Sequence, residues 1–125
     1  MEKSKILLVD DDELHLMIAH EILNVHYELT TFTSGTEALD FLYRGFTPDL
    51  IILDIIMPEI NGWEVFRKIK TIGFLFNVPV LILTVLDSEN DKKLARELGA
   101  VDFIHKPYKK DTLLKSIENI LKKKD

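Results

Sequence analysis

Four short apolar runs, at 6–9, 50–53, 80–83 and 101–104, lack the polar–apolar alternation of a strand with one wet face. Such runs read as parallel strands covered by helices on both sides. A fifth stretch, 27–33, is more polar and suits an edge strand. Amphipathic segments fill the intervals. Leu14, Met17, Ile18, Ile22 and Val25 share one helical face, and Ala38, Leu39 and Leu42 follow Ser34, an N-cap candidate, and Gly35. Phe66 and Ile69 follow Asn61-Gly62; Leu94, Ala95 and Leu98 precede Gly99; Leu113, Leu114, Ile117, Ile120 and Leu121 follow Asp111. Five strands alternating with five helices predict an α/β fold: one doubly wound parallel sheet with right-handed crossovers. No linker, repeat or low-complexity segment divides the chain, so residues 1–125 are expected to form one domain. With 125 residues, 46% of them hydrophobic, it can bury a sufficient core without staples.

Two of these runs end in acid. The first stops at Asp10-Asp11-Asp12 and the 50–53 run stops at Asp54, where Gly, Asn or Ser would be more usual. In doubly wound sheets ligands bind beyond the carboxyl ends of the strands, where strand order reverses. With the order 2-1-3-4-5, the first and third strands are neighbours there, which sets Asp10 and Asp11 beside Asp54. Thr84 closes the fourth strand and Lys106 the fifth, so five polar side chains converge. Two carboxylates about 4 Å apart repel by about 4 kcal/mol at an effective dielectric of about 20, so the cluster needs positive charge. Lys106 supplies one, and the oxygen-rich set suits a hard divalent ion such as Mg2+, which leaves room for a phosphoryl group. In such a site the metal and Lys106 offset charge on a transferred phosphoryl group, Thr84 donates a hydrogen bond, and one aspartate attacks to form an acyl phosphate. Residue chemistry alone leaves open which aspartate that is.

The pattern Leu8-Val9-Asp10-Asp11, Asp54 with Met57-Pro58 and Asn61-Gly62, Leu83-Thr84, and Gly99-Ala100 leading to Lys106-Pro107 strongly resembles a known family. It is that of the receiver domain of bacterial and archaeal two-component response regulators, of the chemotaxis-regulator type, and nearly the whole chain is covered. The resemblance implies the flavodoxin-like (βα)5 fold and a phosphorelay role, with a sensor histidine kinase or phosphotransfer protein as donor. It implies that Asp54 accepts the phosphoryl group, that Asp11 binds Mg2+ directly and Asp10 mainly through water, and that the main-chain carbonyl of Ile56 completes the metal shell. Thr84 and Lys106 would hold phosphoryl oxygens, the bond before Pro107 would be cis, and Thr84 would couple to Phe103 as a switch. Such a domain catalyses its own phosphorylation and slow dephosphorylation and is not a turnover enzyme. Its output passes to a downstream effector protein or a fused output domain. The face of the fourth helix, fifth strand and fifth helix is a candidate homodimer surface.

Several residues depart from the usual pattern. Ile56 and Leu86, two beyond Asp54 and two beyond Thr84, are apolar where receivers with rapid self-dephosphorylation often carry polar side chains, so a long-lived acyl phosphate is expected. Val85 follows Thr84 where Ala is common, and Phe103 replaces a frequent tyrosine. Other phosphoryl or phosphate-binding schemes fit less well. A haloacid-dehalogenase-like phosphatase would use the Asp10-x-Asp12 pair with Asp10 as nucleophile, but it needs a further acidic motif after the lysine and leaves Asp54 without a role. A flavodoxin-like electron carrier needs a hydroxyl- and glycine-rich loop where this chain has acid. A receiver-like scaffold that signals without phosphorylation is disfavoured because the whole acceptor set is present.

Composition narrows the rest. The absence of cysteine excludes disulfides, thiolate zinc sites and cysteine nucleophiles and suits a reducing, cytoplasmic setting. No apolar stretch reaches the roughly 18 residues of a membrane span, and the first residues show no secretory signal. A net charge of −5 argues against direct nucleic-acid binding. Asp12 reads as a helix-start residue, and Lys109-Lys110 and Lys122-Lys123-Lys124 as a solvated face of the last helix. His15, His20, His26 and His105 lack metal-ligand spacing and read as structural or solvent-facing; Trp63, at the start of the third helix, reads as packing or a partially exposed cap. The apolar run 72–76 either folds back on the core or forms a contact patch. No output domain is visible after the last helix, so the chain is expected to act by protein contact or to be cut from a longer protein.

Overall fold

A computed structural model of the chain describes residues 2–122, so Lys123 and Lys124 of the terminal basic cluster lie outside the described residues. The strands are β1 (Lys5–Val9), β2 (Glu28–Phe32), β3 (Leu50–Leu53), β4 (Val80–Thr84) and β5 (Asp102–His105). They form one parallel sheet in the order β2-β1-β3-β4-β5, as expected. Between and after them run α1 (Glu13–Leu23), α2 (Gly35–Tyr43), α3 (Gly62–Thr71), α4 (Glu89–Leu98) and α5 (Lys110–Lys122), with a 3-10 turn at Gly73–Leu75.

The uniform apolar runs follow from cover on both faces. Leu7, Val9, Ile51, Leu53, Val80 and Ile82 pack against α2, α3 and Ala95 of α4. Ile6, Leu8, Leu50, Ile52, Leu81 and Leu83 pack against Ala19 and Leu23 of α1 and Leu113 and Ile117 of α5. Each wholly buried Leu or Ile contributes about 1.5–3 kcal/mol, so the two small cores dominate the stability of the sheet. Local signals set the helix starts: Ser34, Asn61 and Ser88 each accept a hydrogen bond from the backbone N–H three residues on. Gly99 ends α4 at φ 94°, the left-handed region that favours glycine.

Three details differ from the sequence reading. In α1 most of the predicted face is turned outward: Leu14, Met17 and Ile18 are exposed, as is Val25 beyond the helix end, and Ala19 and Leu23 meet the sheet with Leu16 and Ile22 partly buried. This helix is apolar on two sides, and the small Ala19 lets it sit close to the strands. The run 72–76 splits, with Ile72 and Leu75 buried and Phe74 and Phe76 exposed, because three residues per turn bring positions three apart onto one side of the 3-10 turn. Val101 lies before β5 and is exposed. No described helix is long and apolar enough to cross a membrane.

Candidate functional site

Register places the acids. Val9 pairs with Leu53, so the next residues, Asp10 and Asp54, leave adjacent strands at the same level. Backbone bonds extend this level beyond the sheet: Asp54 N–H donates to the Val9 carbonyl at 2.9 Å and Asp10 N–H to that of Phe32 at 3.0 Å. Across β4 and β5, Lys106 N–H donates to the Thr84 carbonyl at 2.8 Å, which brings the lysine to the same edge. Carboxylate oxygens of Asp10, Asp11 and Asp54 lie within 4.8 Å of one another. Asp10, Asp54, Thr84 and Lys106 are the buried polar or charged residues among those described, whereas Asp11 is exposed.

Two buried carboxylates so close need compensation, and the lysine provides it. Lys106 Nζ donates to Asp10 Oδ2 at 2.5 Å and to Asp54 Oδ2 at 3.3 Å. The other oxygen of Asp54, Oδ1, accepts the N–H of Ile55 at 2.7 Å. Burial pushes the Asp54 carboxyl above its ordinary range; Lys106 opposes that rise, the charge of Asp10 adds to it, and hydrogen bonds from Thr84 and Ile55 oppose it, with the net direction upward. A buried, partly compensated set of hard oxygen donors is the chemistry that a divalent cation relieves, so the donor set fits Mg2+.

The surrounding turns hold this geometry. Gly62 N–H donates to the Ile55 carbonyl at 2.8 Å, and a Cβ at Gly62 would stand 2.3 Å from the Asp54 carbonyl oxygen and 2.5 Å from Ile55 Cα. The Asn61-Gly62 pair therefore both caps α3 and lets it close on the tip of β3. The Lys106–Pro107 bond is cis, as the resemblance implied. Ile56 is exposed, Leu86 and Phe103 are half-buried, and Phe103 packs against the core that contains Ile82 and Ala95. Asp12 spends its Oδ1 on the N–H groups of Leu14 and His15, at 2.9 and 3.4 Å, so it caps α1 and stays out of the acid cluster. The Asp10-x-Asp12 phosphatase scheme thus loses its second acid.

One histidine departs from the sequence reading. Lys106 Nζ lies 2.9 Å from Nδ1 of His15, a residue without metal-ligand spacing. Its signal was positional: His15 stands three residues past the α1 cap, on the turn that leans back over the end of β1. Beside it, His15, Ile18, Ile22, Lys106, Pro107 and Tyr108 line a cavity of about 180 Å³. Burial, then the nearby charge of Asp10, pushes the Tyr108 hydroxyl above its usual range. His105 also has a partner, its Nε2 lying 3.1 Å from the Val85 carbonyl.

Comparison with known proteins bears on the family and the fold. The family model of the response regulator receiver domain matches residues 6–118. The CpxR homolog of Haemophilus influenzae, a transcriptional regulatory protein, is 36% identical over 121 residues, 96% of this chain and 51% of the relative. The alkaline phosphatase synthesis transcriptional regulatory protein PhoP of Bacillus subtilis is 34% identical over 122 residues, 97% of this chain and 50% of the relative. A solved CheY-like receiver domain protein from Methanospirillum hungatei superposes with a TM-score of 0.89 at 26% identity, covering 98% of this chain and 96% of that one. The chain spans between about a quarter and about half of the length of the curated relatives it matches.

Proposed function

Because this chain belongs to the response regulator receiver family, we propose that Asp54 accepts a phosphoryl group from a phosphohistidine of a sensor histidine kinase or phosphotransfer protein. The observation that supports this most directly is the meeting of Asp54, Lys106 and Thr84 with Asp10 and Asp11 at one end of the sheet. Asp54 attacks phosphorus in line, the P–N bond to the donor imidazole breaks, and an O–P bond forms. Oδ2, the oxygen that faces Lys106, is our choice of nucleophile, since Oδ1 is tied to the Ile55 N–H.

Lys106 then turns its N–H groups from Asp10 and Asp54 to the incoming phosphoryl oxygens, and the Thr84 hydroxyl donates to another. A Mg2+ ion held by Asp10, Asp11, Asp54 and the Ile56 carbonyl would offset phosphoryl charge when bound. Drawing Thr84 toward the phosphoryl group vacates space that Phe103 enters, which changes the face formed by α4, β5 and α5. That face would address a downstream effector or a fused output domain, or pair two copies of the chain. The domain catalyses its own modification in the cytoplasm and turns over no further substrate.

Incubation with acetyl phosphate and Mg2+, read by intact-protein mass, tests this. One labile phosphoryl group that disappears in Asp54→Asn is expected; multiple turnover of phosphate esters without a phosphorylated protein would contradict it.

A further inference from the structure

An ammonium has three N–H donors and no lone pair, so at 2.9 Å Nδ1 of His15 must be the acceptor and the ring proton sits on Nε2. The other two N–H groups of Lys106 go to Asp10 Oδ2 and Asp54 Oδ2, at 2.5 and 3.3 Å. Nδ1 stands 3.7 Å from Asp10 Oδ2 and 3.7 Å from Asp12 Oδ2, outside hydrogen-bond reach, so its bond in this cluster is to the lysine. Lys106 is 5% exposed, which leaves water little access to a third proton.

We propose that His15 is a positioning residue for phosphoryl transfer, acting through Lys106; this rests on the reading of Asp54 as acceptor. A lysine head on a flexible four-carbon stem would otherwise settle on Asp10, its closer carboxylate, and draw away from Asp54. A neutral acceptor on α1 anchors one N–H and aims the remaining two at the carboxylate pair, where the phosphoryl oxygens arrive. Neutrality matters, because a third carboxylate in that place would compete with the phosphoryl anion for the ammonium. The anchor therefore holds a cation in place without cancelling it.

The test compares the full chain with His15→Leu, which removes the acceptor, and His15→Asn, whose Oδ1 falls close to the position of Nδ1. Thermal unfolding establishes that each variant is folded. With acetyl phosphate and Mg2+, His15→Leu is expected to phosphorylate Asp54 about tenfold more slowly, and His15→Asn to recover most of that loss. In a Lys106→Met background His15→Leu should have no further effect. Unfolding temperatures of wild type, His15→Leu, Lys106→Met and the double variant without metal should be non-additive in the same sense.

A rate for His15→Leu equal to or above that of the wild type overturns the inference, as does a His15→Asn as slow as His15→Leu, or additive losses in the Lys106→Met background or in the unfolding temperatures. Wild-type phosphorylation at Asp54 with an indifferent position 15 would overturn this inference alone. Failure of wild type to be phosphorylated would overturn the acceptor reading and this inference together.

Discussion

Asp54 is held in a place that disfavours its own charge. Folding raises its pKa above the ordinary value of 3.8, chiefly by burial and then against the pull of Lys106. The folded protein therefore holds this proton more tightly than the unfolded chain, and the penalty for ionisation grows as pH rises through the folded pKa. In the absence of divalent ions, Asp54→Asn should stabilise the protein by about 1 kcal/mol at pH 7. The gain should fade on acidification and vanish below the unfolded value of 3.8, where wild-type Asp54 is itself neutral in both states. Chemical denaturation of both proteins from pH 7 to pH 4 checks the sign.

The same position illustrates what a string of residues reveals. Asp10, Asp11, Asp54, Thr84 and Lys106 could be picked out because each sits at the end of an apolar run, and sheet order does the rest. His15 could not, because its partner is an ammonium 91 residues away and nothing in its own spacing signals that.

Helix α1 shows how an element can mislead when it is apolar on two sides. Its sheet-facing residues are Ala19 and Leu23, and the apolar side chains Leu14, Met17 and Ile18 look outward. Leu23→Ala should cost about 2–4 kcal/mol, while Met17→Ser should change stability by no more than about 0.5 kcal/mol. Urea unfolding of the two variants decides between the observed face and the one the periodicity suggested.

The loops after β3 and β4 carry a second prediction. The side chains of Ile56 and Leu86 offer no polar atom to orient a water against an acyl phosphate, so wild-type decay should be slow. Ile56→Asn should shorten the phosphoryl lifetime severalfold in a phosphate-release assay. Equal lifetimes would mean that hydrolysis is governed elsewhere.

The fold as a whole was readable because each level agreed: unalternating strands, capped helices and the alternation of the two leave one sheet as the consistent solution. What escaped was set by packing between elements distant in sequence. The 3-10 turn at Gly73–Leu75 divides an apolar run between core and surface, and the fit of Gly62 against the tip of β3 depends on a main chain that no local pattern displays. In the proposed function one carboxylate among several in the cluster, Asp54, carries phosphorus, and that proposal can be read chemically. After incubation with acetyl phosphate and Mg2+, borohydride reduces an aspartyl phosphate to homoserine, and peptide mass mapping then locates it. The conversion is expected at position 54 and nowhere else; homoserine at position 10, or a chain left unmodified, would contradict the account.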